Sequence, residues 1–281
     1  MKCQWDALLN VLPIALRNSV DKFRDNSIQE IRLRINQDVE LTDKTGIYTI
    51  HHKTTHDDIR FCINVASKYS PWSAQTFQHG YITAACGHRI GLCGTFIKNG
   101  PDTATVKDIT SICVRVSRDI PGVASKALHL HGSTLIIGSP GSGKTTFLRD
   151  FIRHKSNSGQ CVGVVDERQE VFPIWQASFC YDIGKRTDVI GSCTKKLGIE
   201  LLLRAMGPQI IAVDEITAED DATALLEAGR SGVSLIATAH ASDRDDLLNR
   251  NVYRSIVQAG LFDNLIIMQR DKSWTAERLK R

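Results

Sequence analysis

The stretch that most constrains this chain is Gly138-Ser139-Pro140-Gly141-Ser142-Gly143-Lys144-Thr145-Thr146. It follows a short apolar run, Thr134-Leu135-Ile136-Ile137, and opens a segment, Thr146-Phe147-Leu148-Arg149-Asp150-Phe151-Ile152, whose apolar residues recur at helical spacing. Strand, glycine-rich loop and helix in that order are the context that a phosphate-binding loop requires. Glycines let the backbone curl so that successive N–H groups face one point, and the helix N-terminus adds positive potential there. Lys144 can then reach the outer phosphates of a nucleotide, and the Thr145 hydroxyl can bind Mg²⁺. A glycine-rich turn matching by chance would have neither the Lys-Thr pair nor the two flanks.

Downstream of Leu130 strand and helix patterns alternate. Cys161-Val162-Gly163-Val164-Val165-Asp166, Ile210-Ile211-Ala212-Val213-Asp214-Glu215 and Val233-Ser234-Leu235-Ile236-Ala237-Thr238-Ala239-His240 read as strands. Asp220 to Ala228 reads as a helix, and Leu265-Ile266-Ile267-Met268 as a last strand before a polar tail. Apolar runs without alternation suit a parallel sheet covered on both faces. The expected fold is a RecA-like α/β domain over residues 133–281.

Residues 1–118 have a different texture and predict a smaller α+β domain, joined through a linker at 119–132. Trp5 to about Val20 is helical with Pro13 disturbing it. Ile28 to Ile35 and Ile112 to Arg118 alternate like half-buried strands, Asp43-Lys44-Thr45-Gly46 reads as a turn, and Thr55 to Tyr69 as a helix. Gly80 to Thr83 and Gly87 to Phe96 are glycine-rich strands, with Asn99-Gly100 a turn signal. His51, His52 and His56 read as an exposed polar loop.

Composition rules out several classes. The chain is 42% hydrophobic and 23% charged, which is ordinary for a globular protein, and 35 basic against 31 acidic residues leave only +4. That mild balance does not by itself imply nucleic acid or an anionic membrane, and no nucleic-acid partner is expected. No apolar run approaches the roughly 20 residues that span a bilayer, and Met1-Lys2-Cys3-Gln4-Trp5-Asp6 is no signal peptide, so a cytoplasmic location is expected. The eight cysteines include no C-x-x-C pair. Cys86, His88 and Cys93 lack a full zinc-ligand set, so structural thiols are expected there.

Ligands of such sheets bind beyond the carboxyl ends of the strands. Asp214 stands where an aspartate can hold Mg²⁺ through its water shell, and Glu215 next to it can polarise an attacking water. An Asp-Glu pair alone can equally begin a helix. The strand ending in Asp166-Glu167-Arg168-Gln169-Glu170 brings a second acidic group to the same edge. Glu170 there can organise metal-bound water or bind Lys144 before nucleotide arrives; a surface loop of charges is the rival reading. His240 can sense a γ-phosphate or contact a neighbouring subunit. Lys144, Glu215, Glu170 and His240 are thus the catalytic candidates, and Thr145 with Asp214 the metal candidates. Phosphoryl transfer also calls for an arginine, and Arg89, Arg115, Arg118, Arg186 and Arg204 are available.

The order of these motifs resembles the ATPases of type II and type IV secretion, with the phosphate loop first, then an acidic box, the Asp-Glu strand and a histidine box at Ala237-Thr238-Ala239-His240. A closer resemblance is to the stage III sporulation protein AA family. It rests on Glu30-Ile31-Arg32-Leu33-Arg34, Gly80-Tyr81-Ile82-Thr83, Gly87-His88-Arg89-Ile90-Gly91, Gly143 to Asp150, Val165-Asp166-Glu167-Arg168, Asp182 to Val189, and Leu203-Arg204-Ala205-Met206. The resemblance implies an Mg²⁺-dependent ATPase working as a homo-oligomer, a hexameric ring. Such a ring would sit on the mother-cell side of the channel between mother cell and forespore, peripheral to the membrane through a membrane-protein partner. The chain departs from the family pattern at Thr217, usually Gly, and at Gln209, usually an acid. Two rival functions are a nucleotide-gated scaffold of that channel and a RecA-like motor on nucleic acid.

Overall fold

Every second residue of Glu30–Arg34 (β1) is buried, with Ile31 and Leu33 fully enclosed and the charged residues half out, as its alternation dictates. The computed structural model describes residues 4–68, 80–98, 104–175 and 177–279. The chain divides into two units, Met1–Asp119 with Pro173–Cys180, and Ile120–Phe172 with Tyr181–Arg281.

In the first unit, helices Trp5–Val11 (α1) and Ile14–Asp21 (α2) are parted at Pro13, which lacks the N–H a continuous helix needs. After β1 come Asp38–Thr42 (β2), Ile47–Lys53 (β3), helix His56–Lys68 (α3), Tyr81–Thr83 (β4), Arg89–Lys98 (β5) and Ala104–Arg115 (β6). They form one antiparallel sheet in the order β3-β2-β1-β6-β5-β4. Trp5, Leu8, Leu12 and Leu16 of the helical segment share its core with Ile31, Leu33, Leu41 and Val114. The Asp43–Gly46 turn closes as expected, Asp43 Oδ1 accepting from the N–H of Thr45 and of Gly46.

Two expectations change in this unit, and one strand is additional. The additional strand is β2: Asp38-Val39-Glu40-Leu41-Thr42 alternates as β1 does, but no flanking apolar residues extend its pattern as Ile28 and Ile35 extend that of β1. His51 and His52 lie in β3 and His56 opens α3, so they are no loop. The expected thiol at Cys86 is bonded to Cys180, 94 residues further on. No local spacing signals that pair, because the segment Pro173–Cys180 returns to this unit from the middle of the other. His88 is fully buried, its Nδ1 accepting from Ser117 N–H and its Nε2 donating to Gln4 O, and burial pushes its pKa down to about 4. It is a satisfied structural histidine. The Asn99-Gly100 turn and Tyr69 lie outside the described residues.

The second unit begins with Thr134–Gly138 (β7), Lys144–Asn157 (α4) and Val162–Asp166 (β8). The chain then makes a short hairpin, Ile174–Trp175 (β9) with Ser178–Phe179 (β10), in the segment assigned to the first unit. It continues through Thr187–Gly191 (β11), Lys195–Ala205 (α5), Ile210–Glu215 (β12), Glu219–Arg230 (α6) and Ser234–Ala239 (β13). Arg244–Asn249 (α7), Asn251–Gln258 (α8), Asn264–Met268 (β14) and Trp274–Arg278 (β15) complete it.

Seven strands lie in the order β11-β8-β12-β13-β7-β14-β15, parallel except for β15. All five positions of β7 and of β8 are buried, because both faces are covered. Leu135, Ile137, Val165 and Val213 pack on one side with Leu202 and Leu225, while Ile136, Val164 and Ala212 pack on the other with Phe147 and Phe151. The RecA-like α/β expectation is borne out. The polar tail is corrected: Trp274–Arg278 is an antiparallel edge strand, exposed enough to look like a tail in sequence.

Gly198 seats α5 on this sheet. A Cβ there would lie 2.5 Å from Val165 Cγ1 and 2.9 Å from Cγ2. Alanine is the better helix former by about 1 kcal/mol, but overpacking costs about 1–3 kcal/mol, so Gly198→Ala should be net destabilising. Urea unfolding should show a lowered midpoint; a raised midpoint would contradict this packing.

Candidate functional site

The end of β7 and the start of α4 hold the glycine-rich loop. Gly141 at φ +74° and Gly143 at φ +100° take left-handed conformations that a side chain disfavours, and Gly143 caps α4. The loop is closed by Ser142 N–H donating to Ser139 O. Ser142 Oγ is buried with no hydrogen-bond partner among the described residues. The first residue of α4, Lys144, is only 7% exposed. Its ammonium donates to Gly138 O at 2.8 Å, Ser139 O at 3.2 Å and His240 Nδ1 at 2.9 Å. Burial holds its pKa below the usual lysine value, opposed by the charges of Glu215 and Asp214.

Strand order explains which candidates meet. β13 lies between β7 and β12, so a residue just past its end can touch both neighbours. His240 occupies that place. Its Nε2 is 2.9 Å from Glu215 Oε1, while Nδ1 meets Lys144. An ammonium can only donate, so Nδ1 accepts from Lys144, the 3.4 Å approach of Nδ1 to Gly138 O being the weaker contact, and Nε2–H donates to Glu215. Lys144, His240 and Glu215 thus form one chain across three strands. Tyr253 braces it: its hydroxyl accepts from His240 N–H and donates to Ile216 O. The pairing of β12 with β13 shifts register between Val213 and Glu215, a local break in the ladder beside the carboxylate.

The acidic box has two roles. Asp166, fully buried, accepts the N–H of Glu170, Val171 and Phe172 at 2.9, 3.1 and 2.8 Å. Its oxygens shape the loop. Burial raises its pKa, and those three amides oppose the rise. Arg149, on α4 and 2% exposed, donates to the carbonyls of Glu170 and Val171 and stacks over Tyr181 at 4.4 Å. Glu170 is thereby held near the site, and its charge acts on Asp214. It does not bind Lys144, whose partners are carbonyls and His240.

Asp214, 7% exposed at the end of β12, has its pKa pushed up to about 7. Burial is the main cause, followed by Glu170, Asp166 and Glu215; Lys195 opposes them. Thr145, the second residue of α4, is half-buried. Among the described residues no three His, Cys, Asp or Glu side chains are grouped to hold a metal by themselves. A magnesium ion is ordinarily held by one or two protein oxygens plus phosphates, a demand that Thr145 and Asp214 fit.

The arginine candidates are scattered. Arg89 stacks over Tyr81 at 3.9 Å, Arg115 lies 3.6 Å from Glu30, and Arg118 donates to Ile28 O. Arg186 donates to Cys161 Sγ, and Arg204 is exposed at the end of α5. Thr217 and Gln209, the two departures, are both engaged: Thr217 N–H donates to Asp221 and Gln209 Oε1 accepts from Cys161 N–H. Sequence reading missed Arg149, Tyr253 and Lys195, whose partners are distant in the chain and leave no local pattern.

The family model described as sporulation stage III, protein AA matches residues 3–277. Stage III sporulation protein AA of Bacillus subtilis (strain 168) is 33% identical over 279 residues, covering 94% of this chain and 91% of that protein. Among solved structures, the ATPase DotB of Legionella pneumophila aligns with a TM-score of 0.60 at 18% identity, over 95% of this chain and 80% of that one. The pilus retraction motor PilT, solved with bound ADP, aligns at 0.58 and 13% identity, over 91% and 78%. At such identities the structural likeness establishes the fold.

The Asp214 carboxyl carries a pH signature. Its pKa, about 7 when folded against an ordinary 3.8, means the folded state holds this proton more tightly than the unfolded chain. The stability it contributes is full below that ordinary value and is lost as pH rises through about 7. Thermal melts of the nucleotide-free protein should show wild type losing ground to Asp214→Asn across that window. A difference independent of pH would contradict the placement.

Proposed function

The chain belongs to the sporulation stage III, protein AA family, and we propose that it hydrolyses ATP with Mg²⁺ to power or assemble the channel complex between mother cell and forespore. The observation that carries the reading is the chain Lys144–His240–Glu215, which joins the phosphate loop to the acidic end of β12. In this reading a triphosphate replaces the Gly138 and Ser139 carbonyls and His240 Nδ1 at the Lys144 ammonium, since a charged acceptor is the stronger partner. Loop amides and the α4 N-terminus bind the remaining phosphate oxygens, and Ser142 Oγ gains a partner. Thr145 and Asp214 would hold Mg²⁺, which neutralises phosphate charge when bound. Release from Lys144 frees His240 Nδ1, and the imidazole still orients Glu215. Glu215 then accepts a proton from the attacking water.

The ring, the peripheral seat on a membrane protein and the cytoplasmic, mother-cell location belong to the same proposal. Family membership and the fold shared with the ATPase DotB and the pilus retraction motor PilT support it. Among the described residues no helix is long and apolar enough to cross a membrane.

Lys144→Ala should abolish phosphate release; unchanged turnover in that variant would refute the assignment. Glu215→Gln should still bind ATP while hydrolysing it roughly 10²- to 10⁴-fold more slowly, the usual worth of a general base. A variant that hydrolyses normally would place the base elsewhere. One that hydrolyses poorly yet supports spore formation in cells would favour a nucleotide-gated scaffold.

A further inference from the structure

One buried cation has no part in the chemistry above. Lys195, the first residue of α5, is 4% exposed. Its ammonium lies 2.6 Å from Glu167 Oε2 and 3.4 Å from Asp221 Oδ2. Those carboxylates belong to separate segments, one in the loop after β8 and one in the first turn of α6. Glu167 follows Asp166, whose oxygens gather the amides of Glu170, Val171 and Phe172. Asp221, in the first turn of α6, accepts from Thr217 N–H, Thr217 Oγ1 and Ala218 N–H at 2.9, 3.1 and 3.2 Å. Thr217 is separated from Glu215 only by Ile216.

Stability does not account for this lysine. A cation at the start of a helix sits at the wrong end of the helix dipole. A buried ion pair also adds little over an apolar side chain of the same size. What the pairing does supply is position. Thr194 caps α5 by accepting from Leu197 N–H, and Gly198 seats the helix against Val165, so the Lys195 backbone is fixed. Gln169 Nε2 donates to Ser192 Oγ, joining the acidic loop to the chain that leads into α5.

We propose that Lys195 is a positioning residue for hydrolysis, its ammonium tying the Asp166–Phe172 loop to the Ile216–Asp221 loop so that Glu170 and Glu215 keep fixed places beside the phosphate loop. The proposal rests on the ATPase reading. Its geometric half, the bridge between two loops, stands or falls separately.

The test compares full-length wild type, Lys195→Met and Lys195→Arg. ATP titrations give kcat and KM, and a non-hydrolysable ATP analogue gives the affinity. The Met variant should lose roughly tenfold to hundredfold in kcat, as small misplacements of reacting groups do, with KM and analogue affinity within about twofold of wild type. The Arg variant, which keeps a cation between both carboxylates, should recover most of kcat. Hydrogen exchange supplies the second reading. The amides of Glu170–Phe172 and of Thr217–Ala218 should exchange faster together in the Met variant and stay protected in the Arg variant. An unchanged kcat, a loss in kcat matched by loss of affinity, or exchange that quickens in one loop alone would overturn the proposal. If wild type turns over no ATP, the ATPase reading and the role in hydrolysis fall with it, while exchange still decides the bridge. Should the Met variant not fold, Glu167→Gln removes one end of the bridge at a side chain 35% exposed and carries the same readings.

Discussion

An ammonium group taken out of water needs acceptors around it, and the polar edge of the larger sheet is built to meet that need at Lys144. Its hydrogen-bond partners, Gly138 O, Ser139 O and His240 Nδ1, are all neutral, while the nearest charges felt are those of Glu215 and Asp214. Neutral acceptors satisfy the donors without neutralising the charge, so the cation is ready for an anion. His240 relays the demand to Glu215, and Tyr253 fixes the backbones of His240 and Ile216. Remove Lys144 and the histidine loses the contact that selects its tautomer.

The carboxylates form the other half of the site, and topology crowds them. β8 and β12 are parallel neighbours, so Asp166 and Asp214 end at the same edge. Burying like charges together raises proton affinity, as it does at Asp214. Three devices moderate the crowding. Asp166 is solvated by backbone amides, Glu215 leans on His240, and Lys195 stands between Glu167 and Asp221. Each device also fixes a loop, so the electrostatics and the shape of the edge have a common origin.

Residues with a local signal were readable in the chain. The glycine-rich loop stands out through its glycines, Lys144 and flanks, and Asp214, Glu215 and His240 through their place after apolar runs. β7, β8, β12, β13 and β14 follow from the same runs, since strands buried on both faces lose their alternation. Residues defined by tertiary partners were silent. Arg149 looks like any helix arginine until Glu170 and Val171 fold back over it, and Lys195 like any exposed lysine in a Lys-Lys pair. β11 hides because Thr187-Asp188-Val189-Ile190-Gly191 is mixed in polarity at a sheet edge. Cys86 and Cys180 meet only because one short segment leaves the second unit and returns.

Histidine nitrogen NMR on full-length protein addresses the resting contact between Lys144 and His240 most directly. Without nucleotide, His240 should show Nδ1 as the unprotonated, hydrogen-bond-accepting nitrogen and Nε2 as the protonated one. Adding Mg²⁺ with a non-hydrolysable ATP analogue should move the Nδ1 resonance as Lys144 leaves for the phosphates, and Lys144→Ala should abolish that response. A His240 protonated at Nδ1 in the free protein, or one indifferent to nucleotide, would contradict the account.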